Sequence, residues 1–97
     1  MGVIEVLTFR LAPGVDEVDF LDADQRAQTE FLYHQPGLLR RTMARAVGDD
    51  WLVVTLWRST HDADASAEAA RDDSIISRWS SFVERSSVTT RRYDTLE

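Results

Sequence analysis

The segment from Gln35-Pro36-Gly37 to Trp57-Arg58-Ser59 constrains the fold more than any other part of the chain. A Pro-Gly pair ends a preceding helix, because proline cannot donate to the helical ladder and glycine tolerates positive φ. Leu38 to Val47 can then extend. Gly48-Asp49-Asp50 supplies a tight reversal, since glycine enters the left-handed region without steric cost and aspartate bonds its own backbone. The run Trp51-Leu52-Val53-Val54-Thr55-Leu56-Trp57 follows, with the β-branched and aromatic content of a buried central strand. An antiparallel hairpin therefore occupies the middle of the chain, and the flanking segments must pack around it.

Those flanks read as alternating elements. Val3 to Arg10 is a first strand, broken by Pro13-Gly14. Asp16 is placed to cap a helix running to about Tyr33, with Phe20, Ala23, Ala27, Phe31 and His34 recurring on one face. Beyond the hairpin, Ser59 with Asp62 forms a capping pattern that opens a short Ala-rich helix from about Asp62 to Ala70. Asp72-Asp73 breaks or re-caps the chain. A firmer helix then runs from Ser74 to about Arg85, carrying an apolar stripe of Ile75, Ile76, Trp79, Phe82 and Val83. Ser86-Ser87 ends it, and Val88 to Tyr93 alternates as a fourth strand. The order is βαββαβ, an α+β, ferredoxin-like arrangement with a four-stranded antiparallel sheet. Right-handed crossovers put strands one and three in the middle and strands two and four at the edges. There is no linker or internal repeat, so residues 1–97 are expected to form one domain.

The absences narrow the chemistry. The chain has no Cys, no Lys and no Asn, and all eleven of its cations are Arg. Disulfides, thiol nucleophiles, Fe–S clusters, Schiff bases and a P-loop lysine are thereby excluded. Arginine orients anions and does not move protons, so proton transfer falls to His34, His61, the carboxylates, Tyr33 or Tyr93. The two histidines lack His-x-x-x-His spacing, and no metal site is expected. A net charge of −6 disfavours nucleic acid, and no apolar run approaches the roughly 18 residues that span a bilayer. The start, Met1-Gly2-Val3-Ile4-Glu5, has no basic n-region, so a cytoplasmic protein is expected.

Both parities of the third strand are apolar: Leu52, Val54 and Leu56 on one side, Trp51, Val53 and Trp57 on the other. Two helical segments can cover only one face of a four-stranded sheet. The other face is expected to pack against a second copy of the chain, giving a homodimer, with Trp51 at the seam.

The acidic helix ending Glu30-Phe31-Leu32-Tyr33-His34-Gln35-Pro36-Gly37, the Gly-Asp-Asp-Trp turn, and the strand ending Leu56-Trp57-Arg58-Ser59 before an Asp/Ala helix resemble the dimeric α/β-barrel superfamily, and more narrowly the antibiotic-biosynthesis-monooxygenase-like proteins. That resemblance implies a dimer and a small aromatic or apolar ligand. Family members include oxygenases of quinol and anthrone-type molecules that use no cofactor, haem-degrading relatives and polyketide cyclases. In the oxygenases, an electron-rich substrate reduces O₂ itself, so the pocket needs aromatic walls, an acid/base and donors for the anion. Trp57 matches the tryptophan that such enzymes carry at the end of the third strand. The asparagine that the oxygenases and the haem-degrading relatives use has no counterpart here, no Tyr follows Trp57 within the next helix, and Ser74 to Arg85 holds no His for a haem.

These readings nominate a site. Trp57 and Trp79 would wall a cavity between sheet and helices, Thr55 would donate a hydrogen bond, Arg41 would orient an anionic group, and His34 or His61 would accept a proton. Thr60 to Asp73, with little to bury, would form a lid. No cofactor is expected. One alternative is a non-catalytic ligand-binding or interaction protein of the same fold, and the resemblance implies another, a polyketide-cyclase-like protein; RNA recognition, with Phe9, Trp51 and Trp57 stacking bases, is opposed by the acidic charge.

Overall fold

The structure, a computed structural model, describes residues 1–96. Four strands, β1 (Val3–Arg10), β2 (Leu38–Arg45), β3 (Asp50–Trp57) and β4 (Thr89–Asp94), form one antiparallel sheet in the order β2-β3-β1-β4. Three helices, α1 (Glu17–Glu30), α2 (Thr60–Ala70) and α3 (Ser74–Ser81), lie between the strands in sequence. The two greasiest strands are central, where both edges are hydrogen-bonded, and the arginine-bearing strands are at the rims.

Local chemistry sets the element ends. Each helix starts on a side-chain cap: Asp16 accepts from the Val18 amide at 2.8 Å, Ser59 from Asp62 at 3.1 Å, and Asp73 from Ile75 and Ile76 at 2.9 and 3.0 Å. Gly48 makes the hairpin turn at φ +105°, and Gly37 enters β2 at φ +82°. A Cβ on Gly37 would collide with the Asp62 side chain, so glycine is required there for two reasons.

Two helices are shorter than the sequence pattern predicts, and β2 ends at Arg45, before Val47. The first helix gives way after Glu30 to a 3-10 turn, Leu32–His34, whose tighter winding carries His34 out to solvent and off the apolar stripe. The last helix stops at Ser81 and not near Arg85. There the backbone turns back onto β1: Ala12 donates to Phe82 at 2.8 Å, Glu84 donates to Arg10 at 2.8 Å, and Leu11 bridges Val83. Helical periodicity cannot reveal this exchange, because Phe82 and Val83 are apolar in either conformation.

Register assigns the two faces. Val3, Glu5, Leu7 and Phe9 of β1 pair with Trp57, Thr55, Val53 and Trp51 of β3, and these residues share the face that the helices cover. Ile4, Val6, Leu52, Val54 and Leu56 point the other way and remain only half-buried. Trp51 is therefore not at an outer seam. It is 6% exposed on the inner face, edge-on to Phe20 with ring centroids 5.2 Å apart, and the Arg45 guanidinium lies over it at 5.5 Å. No described helix is long and apolar enough to cross a membrane.

Candidate functional site

The inner face is filled unevenly. Around Phe9 and Trp51, the rings of Phe20, Trp79 and Phe82 pack on one another at centroid distances of 5.2 to 6.4 Å, with clefts opening only beside this cluster, one along Phe9 and Trp79 and one along Trp51. Around Thr55 and Trp57 the helices α1 and α2 offer mostly short side chains, Ala27 from α1 and Ala63, Ser66, Ala67 and Ala70 from α2, with Phe31 and Leu32 at the end of α1. Side chains this short leave space over the sheet unfilled. The result is a cavity of about 230 Å³, floored by Leu7, Val53, Thr55 and Trp57 and closed at one end by Trp79 and Ile76. The segment expected to act as a lid thus forms one wall, anchored over the sheet by Ala63 against Val3 and Trp57.

One row of the sheet under this cavity is polar from edge to edge. Arg41 of β2 is in register with Thr55, Thr55 with Glu5, and Glu5 with Arg92 of β4. At one end, Arg41 grips Asp24 of α1 with both terminal nitrogens, at 2.8 and 3.2 Å. Gln28 Nε2 and Trp79 Nε1 also donate to this carboxylate, at 2.7 and 2.8 Å. Burial alone would raise the Asp24 carboxyl, yet the hydrogen bonds and charge of Arg41, with help from Gln28 and Trp79, outweigh it and hold the group below its ordinary value. At the other end, Arg92 donates to Asp64 of α2 at 2.6 Å and to Glu5 at 2.8 Å, and these bonds push its guanidinium above its already high value. Both arginines therefore stitch helices to the sheet.

The buried Trp57 Nε1 has no hydrogen-bond partner among the described residues. Leaving such a donor unmet costs about 1–3 kcal/mol.

Of the residues nominated from sequence, the fold brings Trp57, Thr55, Trp79 and Arg41 together around the cavity. It does not bring the histidines. His34 is exposed on its 3-10 turn, His61 is exposed in the first turn of α2, and neither lines the cavity. Arg41, nominated as free to orient an anion, spends two donors on Asp24. Thr8 faces outward and bonds Thr89. Phe9, Trp51 and Trp57, the aromatics that invite comparison with base-stacking sheets, are all buried beneath the helices. Glu5 was not nominated, although a carboxylate among Val3, Leu7 and Phe9 interrupts the inward alternation and signals it. No group of three or more potential metal ligands occurs among the described residues.

The sheet order and the helices on one face make a ferredoxin-like βαββαβ fold, one shared with solved structures described as antibiotic biosynthesis monooxygenases. No protein-family model and no curated protein matches the sequence. Among solved structures, the chain is similar to a variant of SnoaB, a cofactor-independent oxygenase from Streptomyces nogalater: 13% identity, TM-score 0.79, covering 99% of this chain and 94% of that one. It is also similar to a conserved protein from Methanosarcina mazei Go1, at 10% identity and TM-score 0.77, covering 96% and 91% of the two chains. A further neighbour is an antibiotic biosynthesis monooxygenase, at 11% identity and TM-score 0.73, covering 98% and 99%. At these identities the shared property is the fold.

Proposed function

We propose that the chain binds a small, mostly apolar aromatic molecule in the cavity beneath α2 and oxygenates it without a prosthetic group. The observation that carries this reading is a cavity of about 230 Å³ lined by Trp57, Trp79, Phe31 and short aliphatic side chains, whose charged and hydroxyl-bearing lining residues are Glu5, Arg41, Thr55 and Ser66. The body of an aromatic ring replaces empty space between Leu7, Val53 and the alanines, and an oxygen substituent on it meets the polar groups of the lining. The oxygenation follows from the fold resemblance, supported by the description of SnoaB as a cofactor-independent oxygenase. O₂ consumption with a panel of dihydroanthracenones and quinols tests it: uptake above buffer, lost on Trp57→Ala, is expected, and no uptake with any substrate would refute catalysis.

A second reading is a binding protein without chemistry. It is favoured by the position of His34 and His61 outside the cavity, which leaves neither conventional proton acceptor beside a ligand. Ligand-induced quenching of tryptophan fluorescence with no accompanying O₂ uptake would select it.

The working unit in either case is a homodimer joined through the outer face of the sheet. Ile4, Val6, Leu52, Val54 and Leu56 form one continuous apolar patch across the two central strands, and no helix of this chain covers it. Light scattering at micromolar concentration should give twice the chain mass, and Val54→Asp, at the centre of the patch, should give a folded monomer. A monomeric wild type would refute the pairing.

A further inference from the structure

We propose that Glu5 is the specificity-determining residue of this cavity, accepting a hydrogen bond from a hydroxyl of the ligand so that neutral hydroxylated rings are preferred over bare or anionic ones. The inference rests on the ligand-binding reading above. It starts from an inconsistency in β1, whose inward positions are Val3, Glu5, Leu7 and Phe9. A carboxylate on a central strand under a helical cover opposes the alternation that builds the rest of that face, and such breaks concentrate at functional positions.

Its surroundings leave one oxygen available. Glu5 Oε2 is held by Arg92 Nε at 2.8 Å, while Oε1 has no hydrogen-bond partner among the described residues. Glu5 is also the single carboxylate lining the cavity, and its register partner Thr55 places a hydroxyl beside it. Pairing with Arg92 does not by itself account for the residue. Arg92 already bonds Asp64 at 2.6 Å, and at an exposed edge strand an ion pair contributes little.

Charge around the row gives the selectivity its direction. Arg41 is paired with Asp24 and Arg92 is shared between Glu5 and Asp64, so both arginines of the row already have carboxylate partners. An anionic ligand finds no unpaired cation in this row and meets the Glu5 carboxylate, whereas a hydroxyl can donate to Glu5 Oε1. A hydrogen bond to a charged acceptor is among the stronger neutral-ligand contacts.

Equilibrium binding of naphthol, naphthalene and naphthoate, read by calorimetry on the whole chain, tests this. Wild type should bind naphthol about tenfold more tightly than naphthalene, with naphthoate weakest. Glu5→Leu should abolish the preference for the hydroxyl. Glu5→Gln, nearly isosteric and still able to accept from Arg92, should stay folded by circular dichroism and improve naphthoate relative to naphthol. Binding of all three probes with an unchanged order in both variants would overturn the role of Glu5 and leave the cavity reading standing. Absence of binding by every probe would overturn the cavity reading and this inference with it.

Discussion

The two ends of the inner sheet face are built from the same strands and yet are opposites. At the Phe9–Trp51 end, α1 and α3 lay Phe20, Trp79 and Phe82 onto the sheet, and Phe20 is fully buried. At the Thr55–Trp57 end, α1 and α2 lay alanines and Ser66 onto it, and space remains. Strand sequence does not make this difference, since Trp51 and Trp57 are equivalent positions at opposite ends of β3. The size of the side chains that the helices return to the sheet decides which end is solid and which is hollow. Between them runs the Asp24 cluster, which fastens Trp79, the last ring of the solid end, to Arg41, the first side chain of the polar row.

Perturbing each end should therefore produce opposite effects. Phe20→Ala, at the centre of the rings, should cost about 3–5 kcal/mol in urea unfolding, a large part of the stability of a domain this size. Asp24→Asn should cost about 3 kcal/mol, because it leaves the Arg41 guanidinium buried without its countercharge. This variant also has a pH signature. Since the native Asp24 carboxyl lies below its ordinary value of 3.8, its ion pair stabilises the fold fully above that pH and is lost as pH falls through the depressed native value. Melting curves taken from neutral to acid should show wild type losing more stability than Asp24→Asn; equal acid slopes would mean that the pair contributes nothing.

The tryptophans sharpen the contrast. Trp79→Phe removes a made hydrogen bond and should destabilise by about 1–2 kcal/mol, whereas Trp57→Phe removes an unmet donor and should leave unfolding within about 1 kcal/mol of wild type. If both cost the same, the distinction between solid and hollow ends fails. The smallest stability effect belongs to Ala67→Leu, which fills the hollow end. Unfolding should shift by less than about 1 kcal/mol while binding of aromatic probes falls by about tenfold or more.

Much of this architecture is legible in the chain. Pro36-Gly37, Gly48-Asp49-Asp50 and the caps at Asp16, Ser59 and Asp73 act through backbone geometry and hydrogen bonds a few residues away, so they read directly. Trp57, Thr55, Trp79 and Arg41 could be nominated because each is a chemically unusual residue on a strand or stripe whose period is clear. His34 misleads because the helical pattern that places it inside ends one turn before it. Glu5 escapes notice for another reason: β3 is apolar on both faces, and until register fixes which parity of β1 faces the helices, a single carboxylate there resembles an outward-facing one.

By itself the sequence determined the order of elements, their caps and turns, and that both faces of the third strand are apolar, because those rest on short-range sterics and on the period of apolar side chains. Only the tertiary structure decided that Arg41, Thr55, Glu5 and Arg92 form one row, that Asp24 and Trp79 meet across 55 positions of chain, and that a cavity opens beside Trp57. Register and helix placement join residues distant in sequence, and no local preference encodes which of them will meet.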